Sequence, residues 1–169
     1  MVRPRLDRNW HPERWQTIFH ESYMRTAGND SLFWGIVAGN MFDFGSVRQA
    51  HIDGSEVNDH GLVSYDRSIR KDAFYIYKAA WNRTQPFVHI AEKRLSSREN
   101  PEQTIRVYSN QPQVELIVNG RSCGAINSTD GIFIWEKVAL NAGSNTIEAI
   151  SPDSPYSDHA TIIVGKSAR

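Results

Sequence analysis

The chain has 169 residues, enough for one domain or two small ones. Its 19 Lys and Arg residues balance its 19 Asp and Glu residues, so the charge gives no indication of a nucleic-acid partner. The single cysteine, Cys123, excludes an internal disulfide framework and a thiolate metal cluster, and we expect it to be half-buried in a strand. No apolar run approaches the roughly 18 residues of a membrane span, so no membrane partner is expected.

The first residues lack the apolar core of a secretion signal, since Met1 is followed by Val-Arg-Pro-Arg. We therefore expect a cytoplasmic location by default. A parent protein with an export signal further upstream is equally compatible with the sequence, and the location stays open.

The first half of the chain, residues 1–85, has an α/β pattern. Helical spacing predicts a helix from about Pro12 to Ala27, which Gly28 and Asn29 would end. The segment 32–38 is apolar on both faces, which is typical of a buried parallel strand. A long loop, 44–58, follows it, and a second helix is predicted over 71–81, with an aromatic cluster that we expect to be core: Phe74, Tyr75, Tyr77 and Trp81.

The second half, residues 86–169, reads as antiparallel β-structure. Asn119-Gly120 is a strong hairpin signal, and Trp135 lies in an alternating strand whose inner face we expect to be core. This spacing of short strands indicates a small immunoglobulin-like β-sandwich. The predicted strands are 87–93, 104–109, 114–118, 121–126, 133–140, 145–150 and 160–164.

Several motifs, in matching order and spacing, resemble family 2 glycoside hydrolases, the β-galactosidase/β-glucuronidase family. The resemblance covers roughly residues 10–164. It implies that residues 1–85 are the last βα portion of a (β/α)8 (TIM) barrel and that residues 86–169 are an accessory immunoglobulin-like domain. The motifs are Trp15-Gln-Thr-Ile-Phe-His-Glu, Asn40-Met-Phe-Asp-Phe-Gly, Asn58-Asp-His-Gly-Leu-Val-Ser-Tyr-Asp-Arg, Arg70 to Trp81, Val107-Tyr-Ser-Asn and Val114-Glu-Leu-Ile-Val-Asn-Gly.

The resemblance assigns a substrate-binding role to four residues: Asn40, Asp43, Asn58 and His60. For Asp43 the alternative is a hydrogen bond to nearby loop backbone, and for His60 a solvated turn. Asn58 and His60 match an Asn-x-Lys element that contacts the substrate carboxylate in β-glucuronidases. Because His60 is mostly neutral near pH 7, this position favours a neutral, β-galactoside-type sugar. Gly39 replaces a Trp that usually forms a platform under the sugar, and Trp34 is a candidate to compensate.

Retaining glycosidases need two carboxylates, and in this family both are glutamates upstream of the matching region. Neither glutamate motif occurs here, so the resemblance implies no catalytic residue and no activity of the isolated chain. The six His residues show no ligand spacing, so we expect no cofactor and no metal site, although a cation site assembled from distant carboxylates stays open. Glu21, in the first helix, is expected to be solvated. A complete small enzyme that uses Glu21 with Asp43 is a further alternative.

Two readings of the whole chain remain open. The first is the C-terminal fragment of a retaining β-glycosidase that acts with an upstream barrel on a carbohydrate partner. The second is a non-catalytic β-sandwich module for carbohydrate binding or protein interaction. The first accounts for the barrel-type half, and it predicts that the isolated chain self-associates through an unpaired strand edge.

Overall fold

A computed structural model describes residues 13–46 and 57–165 of the chain. These residues are mostly β-structure with two helices. In chain order the elements are α1 (Glu13–Asn29), β1 (Phe44–Gly45), β2 (Val57–Asn58), α2 (Asp72–Trp81), β3 (Val88–Ile90), β4 (Ser97–Arg98), β5 (Glu102–Ser109), β6 (Gln113–Val118), β7 (Arg121–Asn127), β8 (Ile132–Ala139), β9 (Gly143–Ile150) and β10 (Ser157–Val164). Neither helix is long and apolar enough to cross a bilayer.

The chain separates into two compact units, one within residues 2–75 and the other within residues 76–169. The boundary between them falls inside α2. The domain boundary that the sequence suggests, after residue 85, stays a prediction.

Helix α1 confirms the predicted helix and ends at Asn29, within the predicted stop signal. Its buried side carries small and polar residues rather than the aromatic ones. Thr17, His20 and Glu21 are buried, whereas the aromatic residues spaced four apart, Trp15, Phe19 and Tyr23, are more than half exposed. The prediction that Glu21 is solvated is therefore wrong, because Glu21 follows Thr17 by four positions and lies on the same side of the helix.

The predicted buried strand over residues 32–38 is not formed. Leu32, Trp34 and Val37 are 88%, 96% and 92% exposed, and no residue from 31 to 38 is in a strand. A parallel strand is stable only when neighbouring strands bond to its backbone and cover its faces. None of the described residues supplies such a neighbour, so the apolar sequence remains without a sheet.

Helix α2 confirms the second predicted helix. Its buried side carries Ala73, Ile76, Tyr77 and Ala79. Burial raises the pKa of the Tyr77 phenol. The expectation that the aromatic cluster is core holds for Tyr77 but is wrong for Trp81, which is 55% exposed because it is the last residue of the helix.

The β-rich unit contains two sheets with a common core. One has five strands in the order β4-β10-β9-β6-β7, and the other has three in the order β3-β5-β8. All pairings are antiparallel except that of β4 with β10. The inner faces share one apolar cluster, with Val107 and Phe133 from one sheet and Leu116 and Ile147 from the other. The alternating burial of β6 produces this arrangement, since every second side chain faces the cluster.

All seven predicted strands of this half are present, although the first is shorter than predicted. The short β4 was missed because two residues carry no periodicity. Val118 pairs with Arg121 across the Asn119-Gly120 turn, and both turn residues have positive φ, as a type I′ hairpin requires. Trp135 is buried, as predicted. Cys123 is exposed rather than half-buried, because β7 is an edge strand with little cover.

Candidate functional site

Asp43 is the centre of a connected group of polar side chains in the unit of residues 2–75. Its residue is 6% exposed. Its Oδ1 atom accepts one hydrogen bond from the Gly61 amide at 2.8 Å and one from the Lys71 ammonium at 2.8 Å. The side chains of Asp43 and Lys71 are 7% and 13% exposed, so this ion pair is largely withdrawn from water. A charge-assisted contact in such a setting fixes geometry more firmly than a surface pair does.

Two backbone segments meet at this carboxylate. The first, residues 40–45, we call the wall segment, and the second, residues 57–63, we call the His60 loop. Leu62 donates its amide to the Asn40 carbonyl at 3.1 Å, Val63 donates to Met41 at 3.0 Å, and Asp43 donates to Val63 at 2.9 Å. At the far end, β1 pairs with β2 through Phe44 opposite Asn58.

Gly61 permits the close approach of these segments. A Cβ atom built on Gly61 would lie 2.1 Å from the Asp43 nitrogen and 2.2 Å from the Phe42 carbonyl carbon. Both are backbone atoms that cannot move aside cheaply. A glycine is therefore required here because of space, which explains its place in the Asn58-Asp-His-Gly motif.

The backbone of residues 59–61 is held by several side chains. The Gln16 amide nitrogen donates to the His60 carbonyl at 2.8 Å and to the Gly61 carbonyl at 2.9 Å. Lys71 Nζ donates to the Asp59 carbonyl at 2.6 Å. The Asn58 side chain accepts from the His60 amide at 3.0 Å.

The donors of this network are themselves anchored by the two helices. Gln16 lies in α1, and Lys71 immediately precedes α2. The carboxylate of Glu13, the first residue of α1, accepts from the Asp72 amide at 2.7 Å, and so satisfies one unpaired donor at the start of α2. Neither Gln16 nor Lys71 was singled out from the sequence. Both residues lie within motifs that carry the resemblance, but no pattern marked either side chain as a contact of the His60 loop.

The four residues assigned from the sequence are therefore brought to one place but in different roles. Asp43 and Asn58 are buried, and both bind loop backbone, which for Asp43 is compatible with either interpretation. Asn40 and His60 are exposed. The His60 side chain is 52% exposed, and its Nε2 atom lies 4.0 Å from Asp59 Oδ1. Their contact with substrate stays a prediction.

A polar turn follows the His60 loop. Hydrogen bonds to its carboxylate lower the pKa of Asp66 to about 2. The largest contribution comes from the Ser64 hydroxyl group, and the hydroxyl group and amide of Ser68 follow. Arg67, in this turn, places its guanidinium 4.3 Å from the centre of the Phe42 ring. The turn thus contacts the wall segment through a cation–π interaction.

Gly39 supplies no apolar platform of the kind that the Trp at this position usually forms under the sugar. A Cβ atom at Gly39 would meet nothing within 4 Å, so the space beside it is open. Trp34, the candidate to compensate, is 96% exposed. A cis peptide bond joins Gly39 to Asn40.

An open pocket of about 240 Å³ lies on the outer face of the larger sheet of the β-rich unit. Glu148 and His159 line it, with Nε2 of His159 3.8 Å from Glu148 Oε1. Trp, Tyr and Phe are absent from its lining, so it offers no stacking surface for a sugar ring. Within residues 13–46 and 57–165, no group of three or more His, Cys, Asp or Glu side chains could hold a metal ion.

Known proteins similar to this chain are found both by sequence and by structure. A family model described as "Domain of unknown function (DUF4982)" matches residues 101–153. The chain is 42% identical over 155 residues to a β-glucuronidase of Bacteroides fragilis, a match that covers 90% of this chain and 22% of that protein. The chain therefore spans about a fifth of the length of this relative.

Solved structures show the same relationship. An FMN-binding β-glucuronidase from Facaelibacterium prausnitzii L2-6 superposes with a TM-score of 0.83 and 32% identity, over 94% of this chain and 25% of that one. A Bacteroides fragilis protein provisionally named β-galactosidase superposes with a TM-score of 0.79 and 27% identity, over 93% of this chain and 24% of that one. The homologues of this chain thus include proteins named for glycoside hydrolysis.

Proposed function

We propose that this chain is the C-terminal segment of a retaining β-glycosidase and that it forms part of the wall of the sugar-binding cleft. In this proposal residues 1–85 complete a (β/α)8 barrel, and residues 86–169 are an immunoglobulin-like accessory domain. The catalytic glutamates lie on the preceding part of the polypeptide. The resemblance of the motifs and the glycosidase names of the relatives support the proposal.

The observation that carries the proposal is the Asp43 network. It joins the wall segment to the His60 loop and leaves Asn40 and His60 exposed beside it. Enzymes with a barrel fold bind substrate at loops that follow the strands, and these loops need rigid support. An amide and an imidazole offer the donors and acceptors that sugar hydroxyl groups require.

We infer a neutral, β-galactoside-type sugar as the substrate. Recognition of a glucuronide carboxylate favours a fixed positive charge, which Lys provides and a neutral imidazole does not. His60 occupies the position of that Lys, and the nearby ammonium of Lys71 is already engaged by Asp43 and by the Asp59 carbonyl. The names of the relatives point to glucuronides, so the two sugar classes have to be compared directly.

A hybrid enzyme tests the proposal. The 155 matched residues of the Bacteroides fragilis β-glucuronidase are replaced by the corresponding residues of this chain, and hydrolysis of chromogenic β-galactoside and β-glucuronide is measured. We expect an active hybrid with a higher ratio of galactoside to glucuronide turnover than the parent. The isolated chain, with or without Glu21→Gln, is expected to be inactive.

The Asp43→Asn variant of the hybrid links activity to the site. Since misplaced cleft residues weaken positioning, we expect kcat/KM to fall roughly 10- to 100-fold. Asp153→Asn makes the same atomic change at an exposed position of the β-rich unit and should leave kcat/KM unchanged. A hybrid that folds but shows no turnover, or an active hybrid that is indifferent to Asp43→Asn, would contradict the proposal.

A further inference from the structure

The side chain of Gln16, in α1, contacts the backbone of the His60 loop. It lies 44 residues before His60 in the sequence, and its side-chain amide donates to two successive carbonyl groups, those of His60 and Gly61. These two contacts are 2.8 and 2.9 Å long, so one NH2 group bridges the carbonyl oxygens of two successive peptide units. A carboxamide is suited to this task because each of its two N–H bonds can serve one carbonyl.

Asp43 and Lys71 also hold the backbone of the same loop. Asp43 accepts the Gly61 amide, and Lys71 donates to the Asp59 carbonyl. The loop backbone therefore forms hydrogen bonds with three places: α1, the wall segment and the residue that precedes α2. The His60 imidazole is left as the exposed group of this turn, with 52% of its side chain accessible.

We infer that Gln16 is a positioning residue for sugar recognition, which acts by fixing the backbone that presents Asn58 and His60. The inference rests on the proposed function and adds a positioning contact from α1 to the residues proposed to bind the sugar. Rigid presentation matters because a side chain that is already oriented loses less conformational freedom when it binds a ligand. Without the two Gln16 contacts, residues 59–61 keep the contacts to Asp43 and Lys71 but lose two hydrogen bonds from α1.

The variants separate positioning from folding. Gln16→Glu keeps the shape of the side chain but places an oxygen acceptor opposite two carbonyl oxygens. Gln16→Lys keeps a donor at the end of a flexible chain and serves as the rescue variant. Gln85→Glu is the matched control, because it makes the same chemical change at an exposed residue outside the network.

The hybrid enzyme that carries this chain is studied with two measurements. Hydrogen exchange reports the protection of the Gly61 and Leu62 amides, which donate to Asp43 and Asn40. Competitive inhibition of chromogenic hydrolysis by methyl β-galactopyranoside and methyl β-glucuronide gives the Kd of each sugar. For Gln16→Glu we expect exchange at Gly61 and Leu62 to quicken about tenfold and the sugar Kd to rise about fivefold, with the thermal unfolding midpoint unchanged.

The outcomes distinguish the inference from the proposed function. Restoration of protection and affinity by Gln16→Lys, with wild-type behaviour of Gln85→Glu, would support a positioning role. A Gln16→Glu hybrid that binds sugar as tightly as the unsubstituted hybrid, or whose loss matches that of Gln85→Glu, would overturn the inference alone. An unsubstituted hybrid that folds but binds neither sugar would refute the proposed function and the inference with it.

Discussion

Asp43 shows how far a residue's role can be read from its position in the sequence. A carboxylate that follows an apolar run was expected to face substrate or to bind loop backbone, and the structure shows the second role directly. Its partner Lys71 is 28 residues away, a distance over which no sequence pattern links two side chains. Motif matching therefore located the site, whereas the contacts inside it required the structure.

Asp66 gives a prediction at the scale of one residue. Its hydrogen bonds lower the pKa from 3.8 to about 2 in the folded chain. A carboxylate with a lowered pKa contributes stability above its unfolded pKa, and this contribution is lost as the pH falls from about 3.8 through about 2. Carboxyl chemical shifts recorded against pH should show a midpoint near 2, and Ser64→Ala should raise it. A midpoint at the ordinary value would disprove the hydrogen bonding of this turn.

At the scale of the element, a predicted strand formed only where the described chain also supplies neighbouring strands to pair with it. The strands of the β-rich unit carry alternating sequences and pair with each other, so local pattern and tertiary structure agree. The segment 32–38 has an equally clear apolar pattern but no described partner strand, and it is exposed. Helix α1 lies between these cases, since its periodicity predicted the helix but not which side is buried.

Asn145, in β9, holds the backbone of residues 141–143 where this strand begins, and it provides a prediction for this element. The residue is fully buried; its side-chain NH2 donates to the carbonyls of Asn141 and Gly143, and its oxygen accepts from Asn119 and from the Asn141 amide. Asn145→Ala leaves these buried groups unsatisfied, so we expect the free energy of unfolding to fall by about 3 kcal/mol.

Urea unfolding followed by NMR signals of β6 and β9 measures this loss. Asn127→Ala is the control, because the Asn127 side chain has only an exposed contact with Gln113, and it should change the free energy of unfolding by less than about 0.5 kcal/mol. Equal effects of the two substitutions would show that the Asn145 contacts contribute nothing specific.

At the scale of the whole molecule, the chain corresponds to about a fifth of the length of its curated relative. Exposed apolar side chains concentrate before and within the wall segment, with Leu32, Trp34 and Val37 almost entirely accessible. Contiguous apolar surface of this kind favours association. In the proposed function this surface belongs against the rest of the barrel.

We therefore predict that the isolated chain self-associates. Sedimentation velocity should show species larger than the monomer, and the double substitution Trp34→Ser and Val37→Ser should shift the population toward the monomer by removing apolar surface. Two serine substitutions at exposed polar positions, Thr84→Ser and Gln85→Ser, are the control and should have no effect on the population. A monodisperse wild-type monomer would contradict the prediction.

The sequence by itself determined the two helices, the strands of the second half, the Asn119-Gly120 hairpin and the motifs that resemble glycosidases. These features depend on periodicity and turn chemistry within a few residues, which the local sequence contains in full. Only the tertiary structure decided the exposure of residues 32–38, the burial of Glu21 and the contacts of Gln16 with the His60 loop. Those outcomes depend on which distant segments are available to pack together, because burial and hydrogen bonding across 44 residues are properties of the folded chain.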